Sequence, residues 1–309
     1  MKLELPFRRK RAQQGWLAVS LGEGAARFAH VEPGAKPRLH FLEERQWNAG
    51  EPAARERTIK TIGAQAYRCT TLLSQRDYQI VQVEAPNVPR EELKAAVRWR
   101  IKDMIDYHVD DATLDVLSVP HEAGSARPSS VYAVVARKET VQRLIARFDE
   151  AHIPLGVIDV PDTAQRNIAA LYEPSERAVV ALSFDADGGL ITISAGGELY
   201  MSRRLDITYA QANATAAVYD RVLVEVQRSL DHFERNFAAM AVAKVLVAPI
   251  AQADALVAHL AANVYLPVEA MDLAAVIDLP EEYAAAPPDV RAGWFRLIGA
   301  GLRVEETAA

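Results

Sequence analysis

One stretch in the second half of the chain constrains the fold more than any other. It covers Ala178–Arg204 and reads AVVALSFDADGGLITISAGGELYMSRR. Three runs of β-forming residues, Val179–Phe184, Leu190–Ser194 and Glu198–Arg203, are separated by two clusters of turn residues. This spacing predicts three antiparallel strands joined by tight turns.

A shorter unit of the same kind opens the chain. Trp16–Val19 is apolar, Ser20–Gly24 is a turn with two glycines, and Ala25–Val31 alternates as a strand does. A further strand is expected at Arg38–Gln46. Because a strand–turn–strand unit opens each half, the sequence predicts an internal duplication.

The segment between these units predicts a small α+β insert at about 79–152. Helical spacing covers Pro52–Ser74 before it. The insert then has strands and helices in the order Tyr78–Glu84, Pro89–Asp106, Ala112–Val119, Val131–Ala136 and Glu139–Ala151.

The helix Pro89–Asp106 has an aromatic residue in an unusual place. Its apolar stripe contains Leu93, Val97, Ile101 and Met104. Trp99 falls on the far side of the helix. Such a residue is either covered by another part of the chain, which is the simpler interpretation, or presented to a partner.

The second half continues with a long helix at Ala210–Asn236, a short strand at Val245–Val247 and a closing helix at Trp294–Leu302. Tyr172–Arg177 is the expected hinge between the halves. The expected domain organisation is a basic tail at 1–15, a first domain at 16–176, a second domain at 177–303 and a short tail at 304–309.

Composition limits the classes of function. The 309 residues are half hydrophobic, and the net charge of −6 gives no general attraction to nucleic acid. The single cysteine, Cys69, excludes an internal disulfide and is expected to be a small buried residue in a reduced compartment. Neither a signal peptide nor a transmembrane helix is visible.

The first residues, Met1–Gln14, form a basic segment with four consecutive cations at Arg8–Arg11. Two interpretations stay open: contact with an anionic membrane surface, or a solvated start of the chain. The sequence contains no phosphate-loop, zinc-protease or nucleophile-elbow motif, and its seven histidines have no metal-binding spacing. We therefore predict no catalytic residue and no metal site from motifs.

Four stretches carry a resemblance to a known family. They are Val83–Leu117 (VEAPNVPREELKAAVRWRIKDMIDYHVDDATLDVL), Val131–Ile145 (VYAVVARKETVQRLI), Glu225–Glu234 (EVQRSLDHFE) and Leu297–Arg303 (LIGAGLR). The chain resembles the PilM-like branch of the actin-like ATPase superfamily over about Trp16–Arg303. Within that branch it is most similar to the PilM-like proteins of mannose-sensitive haemagglutinin (MSHA) type IV pili.

The resemblance implies an α/β fold of two actin-like (RNase H-like) domains, with a small α+β subdomain inserted in the first. It also implies a cytoplasmic protein, held at the inner membrane by a bitopic PilN-like partner and linked to the pilus assembly platform. The tail peptide of that partner would lie in a groove beside the inserted subdomain. Ala95, Trp99 and Lys102 are the candidate contacts.

The resemblance also implies where a nucleotide would lie, and the sequence departs from the family there. In the first hairpin, Gly22 and Gly24 are kept and Arg27 stands where a basic residue is expected, but Ser20 replaces the strand-end aspartate. In the second hairpin, the metal-binding aspartate and its glycines are matched only after a shift, by Asp185 or Asp187 with Gly188 and Gly189.

A third loop departs as well, since Ala248–Pro249 replaces a glycine-rich turn and proline has no N–H to offer a phosphate. On the adenosine side the family-like residues are Glu225, Arg228 and Ser229. We expect a degenerate site that binds ATP and Mg²⁺ weakly or not at all, in a non-catalytic adaptor. The alternatives are an active actin-like ATPase or kinase, a cytoplasmic type II secretion component, and a filament-forming actin homologue.

Overall fold

The structure is a computed structural model that describes residues 14–48, 50–121, 128–214 and 216–304. Most of the two expected tails, at 1–13 and 305–309, lies outside the described residues.

The first half contains, in chain order, β1 (Trp16–Leu21), β2 (Gly24–Glu32), β3 (Arg38–Trp47), α1 (Pro52–Ile62), β4 (Arg68–Leu72), β5 (Tyr78–Glu84), α2 (Arg90–Arg100), β6 (Ala112–Ser118), β7 (Ser130–Arg137), α3 (Lys138–Glu150), β8 (Leu155–Asp159) and α4 (Pro161–Ala169). The second half contains β9 (Ala178–Phe184), β10 (Gly189–Ala195), β11 (Glu198–Leu205), α5 (Tyr209–Ala212), α6 (Ala216–Asn236), β12 (Val242–Val247), α7 (Ala253–Ala261), β13 (Val268–Ala270), α8 (Leu273–Val276), α9 (Glu281–Ala284) and α10 (Pro288–Gly301).

Two five-stranded sheets repeat one topology. Their strand orders are β3-β2-β1-β4-β8 and β11-β10-β9-β12-β13. In each sheet the first three strands are antiparallel, and the last two run parallel to the third. The predicted duplication and both predicted hairpin units are therefore confirmed.

Local sequence explains the second unit well. Every residue of β9 and β10 is buried, as expected for two apolar runs in the middle of a sheet. Between β10 and β11, Gly196 and Gly197 both have positive φ, at 61° and 75°. A two-residue hairpin turn of this hand needs that conformation at both positions, and glycine adopts it without a steric cost.

A third, antiparallel sheet of order β5-β7-β6 is inserted between β4 and β8. Helix α2 covers one of its faces, where Val97 and Ile101 pack with Val131, Ala133 and Val135. Helix α3 has a different partner, because Phe148 belongs to the core under the first sheet. The inserted α+β unit confirms the predicted fold class.

Two helices are shorter in the structure than the sequence predicts. α1 ends at Ile62, where Gly63 takes the left-handed conformation with φ 69°. Residues Arg68–Leu72, predicted as helix, form a strand between β1 and β8. Cys69 is buried as expected, although on a strand, and burial raises the pKa of its thiol to about 12.

The second of these helices, α2, ends at Arg100 instead of Asp106, so Met104 leaves the predicted stripe and is half exposed. Within the described residues, no helix has the length and apolar character needed to span a bilayer.

Helices α4 and α10 connect the two halves and pack directly on each other. α4 leads from β8 to β9, and α10 returns from the second half to the strands β1 and β2. Their backbones approach so closely that a Cβ added to Gly299 would lie 2.2 Å from the carbonyl oxygen of Ala164. This crossing sets the relative position of the two five-stranded sheets.

Candidate functional site

A cleft of about 1010 Å³ lies where the two duplicated hairpins meet. The turn between β1 and β2, the chain after β4, part of α3, the turn between β9 and β10, and α10 all contribute to its lining. Six residues predicted for a nucleotide site line this cleft: Ser20, Gly22, Gly24, Arg27, Asp185 and Asp187. The structure therefore brings together the hairpin residues that the sequence placed in two distant segments.

In the first hairpin, groups that would approach a ligand are already engaged. The Gly22 N–H donates to the carbonyl oxygen of Ala25 at 2.8 Å and closes the turn. Arg27 forms an ion pair with Glu44 at 2.5 Å, and its guanidinium lies 5.5 Å from the ring centre of Trp294. Ser20 is exposed at the cleft and has no carboxylate to offer.

Asp185, at the end of β9, uses both of its carboxylate oxygens. Oδ1 accepts the N–H groups of Asp187 at 2.8 Å and of Gly188 at 3.1 Å. Oδ2 accepts a hydrogen bond from the guanidinium of Arg296, which forms an ion pair with it. The same guanidinium lies 3.3 Å from the hydroxyl of Ser183.

Arg296 is deeply buried, with a side chain that is 10 % exposed. Burial lowers its pKa from the ordinary value, and the neighbouring Asp185 carboxylate opposes this shift. An arginine keeps its charge at neutral pH in proteins, so the pair is a charged one.

Asp187 is held by the first half of the molecule. The hydroxyl of Ser74, just after β4, donates to Oδ2 at 2.6 Å, and Nε of Arg76 lies 3.2 Å from Oδ1. Gly188 and Gly189 belong to the same turn, and a Cβ on Gly188 would lie 2.8 Å from the carbonyl oxygen of Leu205. The turn is thus fixed by contacts on both sides.

The two aspartates predicted to hold magnesium do not fit that role in this structure. A hydrated Mg²⁺ needs free carboxylate oxygens, whereas those of Asp185 and Asp187 are already used within the protein. Across the described ranges, no three or more His, Cys, Asp or Glu side chains are grouped to hold a metal. The third loop, Ala248–Pro249, offers no backbone N–H group to a phosphate. The N–H of Ala248 donates to the carbonyl of Leu182, and Pro249 has no N–H.

The three residues predicted on the adenosine side lie on α6 and outside the lining of the cleft. Glu225 pairs with Arg203 at 3.2 Å and with Arg228 at 2.8 Å. Ser229 is fully buried and donates to the backbone carbonyl of Glu225 at 2.7 Å. A nucleotide role for these three residues stays a prediction.

A buried polar network beneath the cleft was not predicted. Asp162 on α4 is fully buried and accepts hydrogen bonds from the hydroxyls of Tyr78 and Ser202. Burial, and then the Asp162 charge, raise the pKa of Tyr78 well above its ordinary value, so its hydroxyl remains a donor. Gln165, one turn further, donates to the carbonyl of Ala181 at 2.8 Å.

Sequence reasoning also missed Arg296, Ser74 and Gln165. A signal for Arg296 was present, because it is the single charge in the stretch Trp294–Leu302, which is otherwise apolar or glycine. A charge in that position is buried only if it has a partner. The sequence cannot identify the partner, since Asp185 lies in a distant segment.

The three candidate partner contacts, Ala95, Trp99 and Lys102, are all exposed. Trp99 is 67 % exposed, so the interpretation that the chain itself covers it is wrong. None of the three lines the cleft. A second groove, of about 420 Å³, lies between the inserted sheet and the second half, with Val83, Tyr200 and Phe237 in its lining.

Comparison with solved structures identifies the fold. A structure described as a PilM–PilN type IV pilus biogenesis complex matches with a TM-score of 0.67 and 19 % identity, over 95 % of this chain and 98 % of that one. A Bacteroides thetaiotaomicron protein described as having an actin-like ATPase fold and unknown function matches with a TM-score of 0.50 and 10 % identity, over 89 % of this chain and 96 % of that one. No protein-family model and no curated protein matches the sequence.

A weaker likeness is to the cytoplasmic domain of EpsL, an inner-membrane component of the Vibrio cholerae type II secretion system. It has a TM-score of 0.46 and 14 % identity, over 76 % of this chain and 82 % of the other. The stronger matches show that the chain has the actin-like ATPase fold. The predicted fold class is thereby confirmed.

Proposed function

We propose that this chain is a non-catalytic adaptor of type IV pilus assembly, of the MSHA type. It acts in the cytoplasm at the inner membrane, docks the tail of a bitopic PilN-like partner and links it to the assembly platform. The observation that carries the proposal is the likeness to the PilM–PilN complex over almost the full length of both chains. Fold alone does not define function, so the site must carry the rest.

The cleft supports a role without catalysis. Phosphoryl transfer depends on positioned phosphates and on metal ions that neutralise the developing charge. Here the strand-end aspartate is replaced by Ser20, and Asp185 and Asp187 are engaged within the protein. These contacts support a degenerate nucleotide site, in a two-domain fold that serves as a scaffold.

The proposed docking surface is the outer face of α2. Trp99 is 67 % exposed there, Ala95 is exposed four residues earlier on the same helix, and exposed Lys102 follows the end of the helix. Exposed aromatic residues are enriched among the anchors of protein interfaces. The opposite face of α2 is fixed by Val97 and Ile101 in the core of the inserted unit, so Trp99 is presented from a rigid element.

Two finer parts of the proposal rest on sequence. Similarity of Val83–Leu117 to the MSHA-type proteins supports that pilus class. The four cations at Arg8–Arg11 support a peripheral contact with anionic lipid, worth about 1 kcal/mol for each basic residue near the surface.

Co-purification tests the proposal directly. The full chain is expressed with the PilN-like inner-membrane protein of the same pilus gene cluster, in its full-length form and in a form without the cytoplasmic tail. We expect retention of the chain by the full-length form only. Equal retention by both forms would remove the tail from the mechanism, and no retention by either would contradict the adaptor role.

A further inference from the structure

We propose that the guanidinium of Arg296 is a built-in replacement for the divalent cation of the actin-like cleft. The two halves of the molecule are then joined by the side chains of the chain itself, without a nucleotide or a metal. The inference deepens the non-catalytic part of the proposed function, and it rests on the cleft alone, not on the pilus partner.

The first step is the position of the charge. Asp185 directly follows β9 in the second hairpin, which is where the family resemblance places a metal-binding carboxylate. Arg296 reaches this carboxylate from α10 and also lies 3.3 Å from the Ser183 hydroxyl. A buried charge is costly without its counter-charge, so Arg296, whose side chain is 10 % exposed, requires the Asp185 carboxylate.

The second step is a set of contacts that bridge the cleft. Ser74 and Arg76, which follow β4 in the first half, hold Asp187 in the second. Arg204 on β11 donates to the backbone carbonyls of Gln75 and Tyr78, at 3.0 Å for Tyr78. These contacts join the segment after β4 in the first half to the second hairpin and β11, across the cleft that a nucleotide of this fold would occupy.

The third step is the stiffness of the connection behind the cleft. α4 and α10 touch through backbone at Gly299 and Ala164. From α4, Asp162 accepts the Tyr78 hydroxyl of the inserted sheet and the Ser202 hydroxyl of the second sheet. The internal cation, the bridging side chains and the close crossing of α4 and α10 together hold the two halves in one arrangement that needs no ligand.

A paramagnetic probe tests this on the unaltered protein. Mn²⁺ replaces Mg²⁺ at carboxylate sites and broadens the NMR signals of nearby amides. We expect equimolar MnCl₂ to leave the amide signals of Gly22, Asp187 and Gly188 in the full-length chain unchanged. Selective broadening of these signals would show a metal between the hairpins and would overturn the proposal.

Variants test the replacement from the other side. Arg296→Met keeps the length of the side chain but leaves Asp185 without a cation. We expect MgCl₂ to raise the melting temperature of Arg296→Met, and to have no effect on wild type, on Arg296→Lys or on the double variant Arg296→Met/Asp185→Asn. A folded Arg296→Met that does not respond to MgCl₂, or a wild type that responds equally, would contradict the proposal.

If Arg296→Met does not fold, the Mn²⁺ experiment on wild type decides the matter. Binding to the PilN-like partner is measured separately on the wild-type chain. If the wild-type chain does not bind the partner and MnCl₂ leaves its amide signals unchanged, the pilus role is refuted and the internal cation stands. If Mn²⁺ broadens these signals and the chain binds the partner, the internal cation is refuted and the pilus role stands.

Discussion

Arg296 on α10 and Asp185, directly after β9, form a partly buried ion pair across 111 positions of the sequence. The pair connects the helix that closes the chain to the hairpin that opens its second half. It therefore contributes to the stability of the whole molecule as well as to the character of the cleft.

Removing the Arg296 charge should destabilise the fold. A buried ion pair that loses one partner typically costs about 3–5 kcal/mol. Because the Asp185 side chain is 34 % exposed, we expect the lower end, about 3 kcal/mol, for Arg296→Met in urea unfolding. The control is Arg57→Met on the exposed side of α1, expected within about 0.5 kcal/mol of wild type. Equal stability of both variants would mean that the pair contributes nothing.

The buried His30 predicts a fall in stability on acidification. Its ring stacks on His40 at 4.8 Å and contacts Tyr67, and its Nε2 lies 2.9 Å from the Gln14 carbonyl. Burial is the largest effect and lowers the pKa of His30 from 6.5. In decreasing order, the hydrogen bond to Gln14 then raises this pKa, the His40 charge lowers it and the Glu32 charge raises it.

Because the folded pKa of His30 is the lower one, the unfolded chain binds more protons. Its contribution to stability is present above pH 6.5 and is lost as the pH falls through the folded pKa. The loss should approach about 1.4 kcal/mol per pH unit at most. Urea unfolding between neutral and mildly acidic pH should show a weaker pH dependence for His30→Gln. A His30→Gln slope equal to that of wild type would refute this assignment.

The crossing of α4 and α10 should not accept a side chain at Gly299. A Cβ there would lie 2.2 Å from the backbone carbonyl oxygen of Ala164, which, unlike a side-chain atom, cannot move away by changing rotamer. Gly299→Ala should therefore cost about 1–3 kcal/mol, the range for overpacked sites. In Gly34→Ala the nearest atom is at 3.5 Å, so thermal unfolding should detect little change. A fully stable Gly299→Ala would mean that the helices can separate freely.

Trp99→Ala should affect binding and leave folding unchanged. Because Trp99 is 67 % exposed, its loss should change the free energy of unfolding by no more than about 0.5 kcal/mol. An aromatic anchor at an interface typically contributes about 2 kcal/mol or more, so affinity for the tail of the PilN-like partner should fall more than tenfold. Val224→Ala, at a position that is 42 % exposed on α6, is the matched control. Wild-type affinity of Trp99→Ala would place the docking surface elsewhere.

The hairpins could be predicted because their signals are local. Gly196 and Gly197 permit the turn, and the apolar runs on either side can pair only with each other or with a neighbouring strand. The prediction of one helix over Pro52–Ser74 was wrong because a local signal was overlooked. Helical spacing continued past Gly63, whereas the left-handed conformation of that glycine ended α1 and Thr70 and Thr71 became buried strand residues.

The candidate site could be predicted only in part. Gly22, Gly24, Asp185 and Asp187 were predicted for one site because their turns resemble those of a known family, and all four line the same cleft. Their hydrogen-bond partners were not, since Ser74 and Arg296 are each more than 100 residues away from the aspartate that they hold. Periodicity reports which face of an element is buried, but it does not report which buried charge meets which.

Thermal unfolding with and without Mg-ATP tests the central claim most directly. A ligand at about 100 times its dissociation constant adds roughly 2.7 kcal/mol to the stability of the folded state. We expect the melting temperature of the full chain to be the same in EDTA and in millimolar Mg-ATP, because the chain itself supplies the cation and the bridging contacts of the cleft. A clear rise in Mg-ATP would show that the cleft still holds nucleotide and would contradict the account of a degenerate, self-closed site.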